Sequence, residues 1–110
     1  MNPKLLVIIA TGDREKALAG LMYTRNVLKN KWIDDVKVVF FGPSERLAAH
    51  DDKVAWFIKE INNESDCFAC KAISDEEGVS AKLTEAGMKV EYVGLLISNA
   101  IKDGYLPMLW

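Results

Sequence analysis

The chain has 110 residues, of which 50% are apolar and 27% charged, a mix that suits one folded domain and excludes both a disordered chain and a second core. Fourteen Lys and Arg against 16 Asp and Glu leave a net charge of −2, so no basic field exists to hold nucleic acid or an anionic membrane surface. Two cysteines, Cys67 and Cys70, are too few for the disulfide scaffold of a small secreted domain, and no stretch approaches the ~20 apolar residues of a bilayer span.

The elements follow in chain order. Leu5-Leu6-Val7-Ile8-Ile9-Ala10 is a continuous branched apolar run that leads into Gly12-Asp13-Arg14-Glu15 and not into a signal cleavage site. Together with Val36–Phe41 it reads as a pair of strands buried on both faces of a parallel sheet. Between them Ala17, Leu18, Leu21, Met22, Arg25 and Leu28 keep helical spacing, with Thr11, Gly12 and Asp13 as cap chemistry. Phe41-Gly42-Pro43-Ser44 breaks the second strand, Ser44 caps a turn over 45–49, and Asp51 or Asp52 caps a helix whose inner face is Val54, Phe57, Ile58 and Ile61. A third strand is predicted from Asp66 to about Ala72, a short helix over 80–86 closed by Gly87, a fourth strand over 89–93, a helix over 94–103 and an edge strand over 105–110. This alternation predicts one domain over residues 1–110: a three-layer α/β/α sandwich around a mostly parallel five-stranded sheet, in a cytoplasmic protein with reduced thiols.

Such sheets place their chemistry just beyond the carboxyl ends of the strands. Cys70 falls there, and the segment from Lys71 to Glu77 approaches a helical turn whose N–H groups favour a thiolate, the form in which cysteine attacks. A packed structural cysteine is the competing reading. Cys67-Phe68-Ala69-Cys70 also matches C-x-x-C, but redox pairs of this kind sit at a helix start, whereas residues three apart on a strand point to opposite faces. His50 and scattered carboxylates make no zinc set, and no metal or cofactor is expected. Thr11-Gly12-Asp13 ends the first strand and opens the first helix, where backbone N–H groups can receive an anion; a tight turn and helix cap accounts for the same residues. The G-x-G-x-x-G pattern and the P-loop lysine are both missing. Trp32, Trp56 and Trp110 with four phenylalanines exceed what a small interior holds, which predicts an outer apolar patch and contact between subunits.

The first strand with Thr11-Gly12-Asp13, the second leading to Phe41-Gly42-Pro43, and above all the run from Cys70 to Val79 resemble the DsrE/DsrF-like family, which includes YchN-type proteins and sulfur-relay subunits. The resemblance implies a trimer or hexamer, and it implies that Cys70 accepts sulfane sulfur as a persulfide from a donor protein and hands it to a partner thiol. Asp75, Glu76 and Glu77 depart from the small and basic residues that the relay proteins tend to carry after this cysteine; like charge there would raise a thiol pKa. The alternative function is a noncatalytic oligomeric module that binds a small anionic ligand or a protein partner at strand ends and subunit seams.

Overall fold

The computed structural model describes residues 2–110. Its elements are β1 (Lys4–Ile9), α1 (Arg14–Lys29), β2 (Asp35–Phe40), α2 (Ser44–His50), α3 (Asp52–Asn62), β3 (Cys67–Cys70), α4 (Lys71–Glu77), α5 (Ser80–Glu85), β4 (Lys89–Glu91), α6 (Val93–Lys102) and β5 (Leu106–Leu109). The strands form one sheet in the order β4-β3-β2-β1-β5, and every pairing is parallel. Helices cover both faces, which makes the predicted three-layer sandwich.

Strand alternation decides which layer each residue joins. Leu5, Val7, Ile9, Val36, Val38, Phe40, Cys67 and Ala69 face the larger core, completed by Leu21 and Val27 of α1, Val54, Ile58 and Ile61 of α3, and Leu83 of α5. The opposite face carries Leu6, Val39 and Cys70 under Val93 and Ala100 of α6, with Ile8, Phe68 and Ile73 alongside. Four helices thus serve one face, while α6 and part of α4 serve the other.

Three details differ from the sequence reading. Ser44, expected to cap the 45–49 turn, instead lies inside α2 and donates its hydroxyl to the Ile9 carbonyl. The third strand stops at Cys70 instead of running to Ala72, because the extended Cys70 backbone is itself the N-cap from which α4 starts. Met22, one of the residues that keep helical spacing along α1, is exposed. Asp51 caps α3 as predicted, accepting the N–H groups of Lys53 and Val54 at 3.0 Å each. The Val54 N–H, helped by the Arg14 guanidinium, holds the Asp51 carboxyl below its usual range. Of the three tryptophans, Trp32 and Trp56 are exposed, whereas Trp110 packs against Tyr23 with ring centroids 5.9 Å apart.

Candidate functional site

The two cysteines have different surroundings although three positions separate them. Cys67 has no exposed surface, sits in the larger core, and its N–H donates to Asn62 Oδ1. Burial, with the Asp66 charge adding, pushes its thiol up to about 12, so it stays protonated and inert. Cys70 points to the other face, is 7% exposed, and ends its strand at the first turn of α4. Three extended residues span roughly 10 Å, well beyond the ~7 Å limit between bridged Cα atoms, so an internal disulfide requires rebuilding the strand. Both thiols are free.

The charges that follow Cys70 are already engaged. Lys71 pairs with Asp75 within α4, Ser80 Oγ also donates to Asp75, and Arg46 of α2 holds Glu77 at 2.8 Å. Lys71 and Ser80 lower the Asp75 carboxyl, and Asp75 in turn raises the Lys71 ammonium. Two of the three acids that sequence spacing sets against Cys70 therefore spend their charge on local partners. The same pairing removes Lys71 as an uncommitted cation for the thiol.

The Thr11–Asp13 turn is likewise occupied. Thr11 Oγ1 accepts the Asp13 N–H, and Asp13 Oδ1 accepts the Lys16 N–H, which makes Asp13 the cap of α1. Gly12 rims a hollow of about 290 Å³ together with Pro43, Arg46 and His50. Strand order reverses between β1 and β5, the place where open α/β sheets take ligands. There the Trp110 carbonyl accepts the N–H groups of Ala10 and Thr11 at 2.7 and 3.2 Å. These contacts engage the Ala10 and Thr11 N–H groups, which are therefore not free to receive an anion.

Comparison with solved structures fits this architecture. A conserved protein of unknown function from Bacteroides thetaiotaomicron, BT1422, matches with a TM-score of 0.86 at 24% identity, over 97% of this chain and 95% of that one. These likenesses establish the fold. A second protein of unknown function, MTH1491 from Methanobacterium thermoautotrophicum, matches with a TM-score of 0.74 at 15% identity, over 99% of this chain and all of the other. No family model and no curated protein matches the chain. Among the described residues no group of three metal-ligating side chains is present, and no helix is long and apolar enough to cross a membrane.

One residue at this end of the sheet, within the strand-end segment Gly42–Glu45, takes no role from the sequence alone. Glu45, in the first turn of α2, has no exposed surface; its Oε2 accepts the Gly42 N–H at 3.3 Å while its Oε1 has no partner. Glu45 reaches back three residues to the Gly42 N–H, as the glutamate of a capping box does, although the residue that precedes α2 is Pro43, which has no N–H. That pattern foretells the hydrogen bond but not the burial, which depends on α4 and α5 packing against α2.

Proposed function

We propose that this domain is a small cytoplasmic sulfur carrier that holds sulfane sulfur as a persulfide on Cys70 and passes it to a partner thiol. The observation that carries the reading is the division of labour between two cysteines on one strand: Cys67 is sealed in the core, and Cys70 stands at the strand end on the first turn of a helix. In the loading step the Cys70 thiolate attacks the outer sulfur of a persulfide or polysulfide donor. One S–S bond forms on Cys70, the donor S–S bond breaks, and the donor leaves as a thiolate. An acceptor thiolate then reverses this sequence. Neither step changes the total oxidation state or needs a metal. Intact mass after incubation with inorganic polysulfide tests it: wild type should gain one sulfur atom and Cys70→Ser none. Absence of the adduct at every donor concentration refutes the reading.

A second reading concerns assembly, and exposed apolar side chains favour it. Leu95 of α6 and Leu109 of β5 are each 70% exposed, Tyr92 is 69% exposed, and Ile101 lies open on the same helix. In the parallel register Leu109 pairs with Ile8 and so shares the face covered by α6. The free edge of β5 is blunted: Trp110 bonds toward β1, so alternate residues turn their backbone groups outward, and one of these is Pro107, which has no N–H. Copies of this chain would therefore meet through the α6 face and not by edge-to-edge strand pairing, in the trimer or hexamer that the family resemblance implies. Sedimentation equilibrium decides it; a monomer at every concentration refutes the reading.

A further inference from the structure

Glu45 is the ionisable member of the buried polar side chains, which are otherwise Thr24, Ser44 and Ser74. It sits behind a tight corner. Gly42 has φ +111°, and a Cβ there would stand 3.3 Å from the Ala10 carbonyl oxygen, so the corner is one that only glycine adopts without strain. The helices packed against α2 are α3, α4 and α5. On α3, Glu60 is held by Arg25, while Asp52, Lys53 and Lys59 are exposed. On α4, Asp75 is held by Lys71, Glu76 is exposed, and Glu77 is held by Arg46 of α2 itself. On α5, Lys82 and Glu85 are exposed, as is His50 on α2. No cation is therefore positioned to neutralise Glu45, and the charge that bears on it is that of Glu77.

A buried carboxyl with one unpartnered oxygen is tolerable while neutral and strongly disfavoured as an anion. Burial pushes Glu45 up to about 7 against the lowering effect of the Gly42 N–H, and Glu77 adds to the rise. Arg46, the next residue on α2, ties this helix to Glu77 of α4, and α4 leads to the thiol. The α4 helix begins on Cys70, its Ile73 packs against the apolar cluster that encloses Cys70, and its far end is tied to α2 through Arg46 and Glu77.

We propose that Glu45 is a proton-operated latch on the seam between α2 and α4, closed while its carboxyl is neutral and loosened when it ionises, so that this side chain sets access to Cys70. The latch deepens the sulfur-carrier reading, since it regulates the same thiol, but it is measurable without any sulfur chemistry. An opened seam titrates as an ordinary carboxyl near 4.5 and the closed one near 7. Between those values opening becomes about tenfold more frequent per pH unit, and it levels off above them.

Amide hydrogen exchange from pH 5 to 8, expressed as protection factors to remove the intrinsic rate, reads the seam directly. In wild type the α2 and α4 amides should lose about tenfold protection between pH 5.5 and 6.5 while remaining less protected than Leu6 and Val7 of β1. In Glu45→Gln, which keeps the shape and the Gly42 contact, that slope should vanish. Iodoacetamide labelling of Cys70, normalised to the thiolate fraction measured in Glu45→Gln, should rise with the same slope in wild type. A slope unchanged by the substitution overturns the latch. So do α2 and α4 amides that exchange only together with β1, or Cys70 labelling that ignores the seam. If the latch behaves as stated and Cys70 never takes up sulfur from polysulfide, the latch stands and the carrier reading falls.

Discussion

Replacing Gly20 by alanine tests how Trp110 is seated. Gly20 is buried in the middle of α1, and a Cβ there would stand 2.7 Å from two atoms of the Trp110 indole and 2.9 Å from Ile9 Cδ1, about 1 Å inside ordinary carbon contact. In a helix interior the exchange of glycine for alanine alone stabilises by about 1 kcal/mol. Overpacking of a filled core costs about 1–3 kcal/mol, and Ile9 is sealed on β1, so the displacement falls on Trp110. That shift breaks its tilted stack on Tyr23 and strains the Ala10 and Thr11 N–H bonds to its carbonyl. The net expectation is a loss of up to about 2 kcal/mol, a fall in Tm of up to roughly 10 °C for a domain of this size. Thermal unfolding followed by near-UV circular dichroism should show the lower Tm and an altered tryptophan band. A Tm that rises as the helix propensity alone dictates refutes the packing argument.

Three further outcomes follow. Glu45 is raised in the folded state, so its contribution to stability is fully present below the unfolded value of 4.5 and is lost as pH rises through about 7. By urea unfolding, Glu45→Gln should stabilise the protein by ~1–3 kcal/mol at pH 8, do little at pH 4.5, and flatten the profile between; an equal effect at both pH values contradicts this. Asp51→Ala removes the α3 cap and the Arg14 partner and should cost about 1 kcal/mol at pH 7; because the folded carboxyl lies below its usual range, this contribution is present above 3.8 and shrinks as pH falls through the lowered folded value, which equilibrium unfolding at pH 7 and across decreasing acid pH checks. On the proposed assembly, wild type should sediment as an oligomer and Leu95→Lys with Leu109→Lys as a monomer with unchanged far-UV circular dichroism; a double variant that still associates moves the interface elsewhere.

How far the sequence foretells this molecule depends on the range of the interactions. The runs in β1 and β2 are legible because central parallel strands bury both faces, and Asp51 is legible because a helix cap is local. Cys67 and Cys70 divide between two layers as strand alternation predicts, which disposes of the C-x-x-C reading. The end of β3 is only half legible: Lys71 to Glu77 reads as a helical turn, yet a seven-residue helix offers too short a period to stop the predicted strand short of Ala72. Nor is the bonding of the Trp110 carbonyl to the turn after β1: Trp110 is seated there with its indole against Gly20, a residue ninety positions away that has no Cβ in the way. The burial of Glu45 likewise depends on α4 and α5 closing over α2, which no local pattern encodes.

The most direct test of Cys70 as the sulfur-bearing thiol is peptide-resolved mass spectrometry of the folded protein, alkylated after brief exposure to polysulfide. One additional sulfur on the peptide segment of Cys70, removed by a low-mass thiol, with Cys67 unlabelled until denaturant is added, is the predicted result. Additional sulfur on Cys67 under native conditions, or on neither cysteine, contradicts it.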